Sequence, residues 1–105
     1  MNYKIEYWNN RTLFVFNINT ITFDEFSQII DEIIKPDKKS EIEITSWTEG
    51  FSFIKEEIEI YFEHFYNSSE PYFSFELLPR ENTNDYDLLE LKSIAETLND
   101  FIHNR

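Results

Sequence analysis

The two histidines are the first candidates for catalysis or metal binding, because imidazole can transfer protons and ligate metals near neutral pH. His64 lies in an aromatic stretch, and His103 lies close to the end of the sequence. The sequence has no H-E-x-x-H motif and no cysteine that could supply a thiolate ligand or nucleophile. Glu63 and His64 are neighbours, so on a strand they would point to opposite faces. We therefore expect His64 to be structural.

Pairs of carboxylates are the second candidates, because such pairs act as general acid and base in glycoside hydrolysis. The chain has 21 Asp and Glu residues, so pairs at a suitable separation arise by chance. A working pair also needs an apolar cleft that raises one pKa, and a small domain has little room for it. Residues 82–87 (NTNDYD) partly resemble a calcium loop, but the glycine and bidentate glutamate of an EF-hand are missing. A helix cap is the simpler interpretation of these residues.

Gly50 is the only glycine in the sequence. Phosphate-binding loops and dinucleotide folds need several glycines, because backbone amides must approach the ligand closely. The motifs G-x-G-x-x-G, G-x-x-x-x-G-K-[ST] and G-x-S-x-G are accordingly absent. We predict no catalytic residue, no cofactor, no metal ligand and no enzymatic activity.

The acidic residues are concentrated in one part of the sequence. The formal net charge is −12, and residues 41–90 hold 13 Asp or Glu against only Lys55 and Arg80, which leaves −11 in this segment. The same segment is rich in Phe, Tyr and Ile. A surface of this kind repels nucleic acid and anionic membranes and attracts basic proteins or metal cations. We expect a basic protein as the partner, with no binding to nucleic acid or membranes.

Aromatic residues interleaved with uncompensated acids are typical of protein interfaces, because rigid rings supply affinity and charge speeds capture. The alternative is a solvated sheet face whose acids only confer solubility. Solubility alone needs less charge, since net charges of about 2 to 8 are typical of a small domain. The predicted partner-binding residues are four acids and two aromatics: Glu49, Glu57, Glu59, Glu63, Trp47 and Tyr61.

The length and composition indicate a single domain, residues 1–105. The apolar fraction of 41% is enough to build a core in spite of the charge. A small domain without cysteine is usual in a reducing compartment. The sequence lacks the apolar run of a signal peptide and any stretch of the about 20 apolar residues that span a bilayer. We expect a cytoplasmic protein.

Two strands and a helix are predicted in the first third of the sequence. Residues 3–8 alternate with the period of a half-buried strand, 9–11 form a turn, and 13–18 form a second strand. Thr22 and Glu25 have the spacing of a capping box. Apolar residues at helical spacing follow, up to the next proline.

The middle of the sequence is less clear. Residues 41–47 (EIEITSW) alternate strictly and predict a strand with both isoleucines on one face, followed by a turn at 48–50. Residues 51–66 fit either one helix or two strands. Their β-branched and aromatic residues favour two strands, whereas the lack of Gly or Asn at 55–57 argues against a hairpin turn. Both interpretations stay open, and two strands are favoured.

In the two-strand interpretation, the predicted site lies on one face of the second strand, because side chains two residues apart share a face. That face would carry Glu57, Glu59, Tyr61 and Glu63, all pointing to solvent and away from the core. In the helical interpretation Ile60 would lie on the polar face.

The last third of the sequence predicts a turn at 67–71, a strand at 72–78, a loop at 79–84 and a final helix capped by Asn84 or Asp85. The predicted order is β-β-α-β-β-β-β-α. This order predicts an α+β fold, an antiparallel sheet with the helices packed on one face.

A small, acidic, cysteine-free α+β domain of this kind resembles the immunity proteins of bacterial toxin systems, including contact-dependent inhibition and other polymorphic toxins. The resemblance is in size, charge and composition over the whole chain, and no motif carries it. It implies a protein that binds a cognate toxin, often a basic nuclease, and blocks its active site or a neighbouring surface. The charge argument agrees, because a nuclease binds phosphate through Lys and Arg, for which carboxylates compete.

Two other functions remain as alternatives. A phage-encoded nucleic-acid mimic would inhibit a defence nuclease or a DNA-binding protein, and it would need carboxylates spaced like phosphates. Such a mimic should bind many basic proteins, whereas an immunity protein should bind one. A small metal-dependent or hydrolytic enzyme would need a buried pair of carboxylates.

Overall fold

The computed structural model describes residues 3–8, 11–78 and 85–104. In this part of the chain, a seven-stranded antiparallel sheet carries two helices, which confirms the predicted α+β class. The strands are β1 (Tyr3–Trp8), β2 (Arg11–Phe16), β3 (Lys38–Lys39), β4 (Glu43–Ile44), β5 (Glu49–Lys55), β6 (Ile58–Phe65) and β7 (Tyr72–Leu77). The helices are α1 (Phe23–Ile29), continued by a π-helical turn (Ile30–Ile34), and α2 (Asp85–His103).

The strand order is β1-β2-β7-β6-β5-β3, and β4 also pairs with β5. Both predicted hairpins form, one between β1 and β2 and one between β5 and β6. The β5–β6 register places Lys55 opposite Ile58 and Phe51 opposite Phe62. The favoured two-strand interpretation of residues 51–66 is therefore confirmed.

The core lies between the helices and one face of the sheet. Phe26 of α1 is fully buried, and its ring centroid is 4.8 Å from that of Phe73 and 5.0 Å from that of Phe62. Rings of this size dominate core energetics because each buries a large apolar area. The capping box predicted at the start of α1 is present: the Glu25 N–H donates to Thr22 Oγ1, and the Thr22 N–H donates to Glu25 Oε1.

Several predicted boundaries are wrong. The strand predicted at 41–47 pairs only at Glu43–Ile44, because the backbone turns from Thr45 to Thr48 and leaves the sheet. Lys38–Lys39, for which no strand was predicted, forms a short strand against β5. Glu49 and Gly50, expected in a turn, begin β5.

The second strand lies two residues earlier than predicted, so that Arg11 belongs to β2 and not to a turn. The loop predicted at 79–84 and the proposed cap Asn84 lie outside the described residues.

The turn between β5 and β6 has an unusual composition. Glu56 and Glu57 have φ angles of 51° and 72°, the left-handed region that hairpin turns normally fill with Asn and Gly. Each such non-glycine residue costs on the order of 1 kcal/mol. The core strands on either side enforce the turn, which explains why the hairpin forms although residues 55–57 contain no Gly or Asn.

The double substitution Glu56→Asn and Glu57→Gly should therefore stabilise the protein by about 1 kcal/mol, since both residues accept a positive φ. Urea denaturation should show a higher midpoint for this variant. The matched control is Glu56→Gln with Glu57→Gln, which removes the same two charges but leaves the strain of a positive φ at both positions. An equal gain in the control would show that charge repulsion, not backbone strain, limits the wild-type turn.

Gly50 is required by a close approach between strands. A Cβ at this position would collide with the backbone carbonyl oxygen of Phe62 and lie 3.2 Å from the hydroxyl of Tyr61. The Tyr61 side chain leans across Gly50 from the neighbouring strand, an arrangement known to compensate for glycine in a sheet.

Gly50→Ala should destabilise the protein by about 1–3 kcal/mol, because β6 must move to relieve a backbone contact. The gain of about 0.4–1 kcal/mol from a stiffer unfolded chain is too small to offset this. Ser52→Ala, on the same strand and face, is the control and should leave the denaturation midpoint nearly unchanged. A Gly50→Ala protein as stable as wild type would contradict the close approach.

Candidate functional site

The structure places the predicted partner-binding residues in three different locations. Glu59, Tyr61 and Glu63 lie on the face of β6 that is opposite the helices, alternating with the buried Ile58, Ile60 and Phe62 as predicted. Glu57 lies in the turn before β6.

Glu49 lies on the helix-side face of β5, the face that also carries Phe51 and, on β6, His64. Trp47 lies in the turn between β4 and β5.

Trp47 and Glu57 are too far apart to share one small binding surface. They lie at opposite ends of the β5–β6 hairpin, and the eight residues of β6 span roughly 25 Å at the usual rise of a strand. The structure therefore places Trp47, Glu49, Tyr61 and Glu63 towards one end of the hairpin, with Glu49 on the helix side and Tyr61 and Glu63 on the other face, and it places Glu57 at the far end.

The backbone of the Trp47 turn is fixed by hydrogen bonds within the turn. Thr45 Oγ1 accepts from the backbone N–H of Trp47 at 3.1 Å and from that of Thr48 at 3.0 Å. The Thr45 N–H donates to the Thr48 carbonyl at 2.8 Å. One threonine side chain thus replaces the missing sheet partners of two amides, as is common for Ser and Thr in turns.

The segment after β6 holds the same turn from the other side. The Asn67 side-chain amide donates to the Ser46 carbonyl at 2.8 Å, and the Asn67 N–H donates to the Trp47 carbonyl at 3.3 Å. The Tyr66 hydroxyl donates to the Thr45 carbonyl. Trp47 is 64% exposed, but the backbone of its turn is bonded to the segment that follows β6.

Other apolar side chains are exposed beside this turn. Ile42 is 52% exposed, Ile44 is 71% exposed and Tyr66 is 37% exposed. Glu41 and Glu43 are exposed as well, and Glu49 is half-buried. We call this set of neighbouring residues the Trp47 surface: Glu41, Ile42, Glu43, Ile44, Trp47, Glu49 and Tyr66.

Sequence reasoning missed most of the Trp47 surface. The strict alternation of residues 41–47 predicted a full strand with both isoleucines on one face, but β4 is a two-residue strand at the sheet edge, and Ile42 and Ile44 are exposed there. The one available signal was the run of acids around these isoleucines, which is more typical of an exposed edge than of a central strand.

Glu63 does not point freely into solvent, contrary to the prediction. Burial raises the pKa of its carboxyl group, and the nearby Glu76 carboxylate raises this pKa further, while a hydrogen bond from Thr48 and the charge of Arg11 act in the opposite direction. Arg11 itself is engaged by Glu76 through two short bonds, Nε to Oε2 at 2.5 Å and Nη2 to Oε1 at 2.7 Å. Glu63 therefore belongs to a polar cluster on the sheet, next to the Trp47 turn.

Tyr61 connects this cluster with the Trp47 surface. Burial raises the pKa of its phenol, and the negative charges of Glu63 and Glu43 add to the increase. The ring is thus close to one acid of the open sheet face and one acid of β4. Tyr61 is half-buried, so less of its side chain is available to a partner than for the exposed Trp47.

His64 packs as an aromatic ring on the helix side of the sheet. Its centroid lies 4.2 Å from that of Phe73 at an interplanar angle of 10°, and 6.3 Å from that of Phe23. Its Nδ1 is 3.4 Å from Oε1 of Glu49. This contact orients the Glu49 carboxylate at the edge of the helix-side face.

Within residues 3–8, 11–78 and 85–104, no three His, Asp or Glu side chains are placed to share a metal ion. Neither helix in this described part of the chain is long and apolar enough to cross a membrane. Comparison with protein families, with curated proteins and with solved structures finds no match to this chain.

The raised pKa of Glu63 predicts a pH-dependent effect of its substitution. The folded state favours the neutral carboxyl group. The contribution of Glu63 to the free energy of unfolding is therefore largest below the usual pKa of 4.5, and it is lost as pH rises through the higher folded-state pKa. Glu63→Gln stays neutral and should therefore be more stable than wild type at pH 7, with the difference disappearing below pH 4.5.

Thermal unfolding of both proteins across this pH range measures the effect. Glu59→Gln, an exposed residue on the same strand face, corrects for the general loss of one negative charge. A wild type that is more stable than Glu63→Gln at pH 7 would mean that Thr48 and Arg11 outweigh the burial of Glu63.

Proposed function

We propose that this chain is a binding protein that captures one basic protein through the Trp47 surface. As its biological role, we propose immunity: neutralisation of a basic, nuclease-type bacterial toxin. The observation that carries the proposal is the exposed Trp47 on a turn in which Thr45 Oγ1 accepts from the Trp47 N–H and to which Tyr66 and Asn67 donate hydrogen bonds.

The side chains of the Trp47 surface support an interface. Trp and Tyr are the residues that most often dominate binding energy, and they do so when packed in the centre of a desolvated contact. Four of the nine large hydrophobic residues exposed in the described part of the chain belong to this surface: Ile42, Ile44, Trp47 and Tyr66. Because the turn is already ordered, binding does not incur the usual entropy cost of fixing a loop.

The charge of the same surface supports a basic partner. Glu41 and Glu43 flank Ile42 along the chain, Glu49 follows Trp47 by two residues, and the Trp47 surface as defined contains no Lys or Arg. The nearest short strand, β3, carries Lys39, but its Nζ is 2.8 Å from a carboxylate oxygen of Asp31. With a net charge of −12 behind it, the surface should attract basic proteins over long distances and bind them faster at low salt.

The geometry changes the roles that we propose for the six predicted residues. Trp47 and Glu49 contact the partner, while Tyr61 and Glu63 support the Trp47 turn from the sheet. Glu59 lies four residues from Glu63 on the strand, roughly 13 Å away, and Glu57 lies farther still. Both distances exceed the Debye length of about 8 Å at physiological salt, so these two residues contribute mainly to the long-range field.

Trp47→Ala should weaken capture of the partner roughly 30-fold or more, as expected for loss of a central tryptophan anchor. The immobilised protein is incubated with a lysate of its own host, and bound proteins are identified by mass spectrometry and then titrated. Tyr7→Ala is the matched control, since Tyr7 is 74% exposed but lies on β1 at the other edge of the sheet. Equal affinity of wild type and Trp47→Ala would contradict the proposal.

The immunity role is tested with the captured protein. Its expression alone should arrest growth, and co-expression of wild type, but not of Trp47→Ala, should restore it. Recovery of many unrelated DNA-binding proteins in place of one partner would instead favour a nucleic-acid mimic.

A further inference from the structure

A cleft of about 270 Å³ lies between the beginning of α1 and the edge strand β4. It opens beside the Trp47 surface and shares three residues with it. The residues that line it are Thr22, Phe23, Asp24, Ile42, Ile44 and Glu49. Its volume is below the range of about 300–1,000 Å³ usual for small-molecule sites, so it suits one long side chain better than a metabolite.

The walls of the cleft select for a cation on an apolar stem. Asp24 and Glu49 contribute carboxylates, whereas Ile42 and Ile44 contribute exposed apolar surface. None of the six lining residues is cationic. Lys and Arg are the side chains that combine an apolar stem with a positive head.

The N-terminus of α1 at this cleft does not reverse the preference of the cleft for a cation. The beginning of a helix favours anions through its free amides. Here, however, the Thr22 side chain accepts from the Glu25 amide at 3.1 Å, and the Glu25 side chain accepts from the Thr22 amide at 3.1 Å. Two of the donors are thus used within the capping box, and Asp24 adds a negative charge in the first turn.

The chain itself provides an example of the same recognition nearby. Lys39 Nζ lies 5.3 Å from the centroid of the Phe51 ring and 2.8 Å from a carboxylate oxygen of Asp31. The Phe51 ring is 6.1 Å from the Phe23 ring, which lines the cleft. An aromatic ring and a carboxylate therefore hold a cation near the cleft, and the cleft is itself lined by one aromatic residue, Phe23, and two acids, Asp24 and Glu49.

We propose that the cleft binds an arginine side chain, which on the proposed function above would belong to the basic partner. The planar guanidinium has five donors, more than the three of an ammonium group, for the carboxylates of Asp24 and Glu49 that line the cleft, and it is less strongly hydrated than an ammonium group. Its stem would lie along Ile42 and Ile44. Occupation of the cleft next to Trp47 would fix the orientation of the partner.

Titration of the ¹⁵N-labelled protein with N-acetyl-arginine amide, followed by backbone NMR, tests the proposal without the partner. Saturable shifts should be confined to residues 22–24 and 42–49. The citrulline analogue, which has the same shape without the charge, should cause none, and the lysine analogue should bind more weakly than arginine. Absence of localised shifts with arginine, or equal shifts with citrulline or lysine, would overturn the proposal.

Two variants and a control locate the binding. Asp24→Asn and Glu49→Gln should each weaken binding of the arginine probe roughly five- to tenfold, as expected for the loss of a charge-assisted hydrogen bond. Glu59→Gln, on the opposite face of the sheet, should leave the affinity unchanged. Equal weakening by all three would show a general charge effect and would overturn the assignment to the cleft.

The outcome is independent of partner capture. If arginine does not bind the cleft but the protein still captures a partner in a Trp47-dependent way, only the proposal of an arginine site in the cleft is overturned. A successful titration in a protein that captures no partner would overturn only the proposed function.

Discussion

Phe26 makes the contact on which the rest of the structure depends. Its ring is completely buried against the rings of Phe62, Phe73 and Phe75, with centroid distances of 5.0, 4.8 and 5.6 Å. This single side chain joins α1 to β6 and β7 in the middle of the sheet. Together with the other buried residues of the helix, it holds α1 against the sheet, including the residues at its beginning that line the cleft.

Fixing the helix also fixes one side of the proposed interface. Phe23 stacks on Phe62 with a centroid distance of 5.5 Å and an interplanar angle of 12°, one turn before Phe26. The other side is fixed by the sheet, since Gly50 lets Tyr61 lie across the start of β5 and the Thr45 hydroxyl holds the Trp47 turn. The exposed residues between these two sides stand on rigid supports, which is the arrangement expected of a preorganised binding surface.

The distribution of acids follows from the same architecture. A sheet with helices on one face separates the acids of β5 and β6 between two faces and two ends. Glu49 comes to the helix side beside His64, Glu63 joins Arg11 and Glu76 on the open side, and Glu57 stays in the distant turn. Acids that form one block in the sequence are therefore spread over separate parts of the molecule, where together they act as a long-range field.

The sequence by itself determined the features that are local or additive. The capping box of Thr22 and Glu25, the alternation of β6 and the excess of acid could all be predicted, because each depends on spacing along the chain or on composition. Trp47 and Glu49 were also predicted as binding residues from their types. The α+β class followed from the order of these elements.

Only the tertiary structure decided which of those residues meet. Residues 41–47 alternate like a full strand, but their pairing ends after Ile44 because Thr45 bonds Thr48 instead of β5. Glu63 is half-buried because β2 and β7 bring Arg11 and Glu76 to it from positions distant in the chain. The cleft likewise combines the start of α1 with the edge of the sheet. No spacing within one segment encodes such contacts, since they arise only when separate segments pack against a common core.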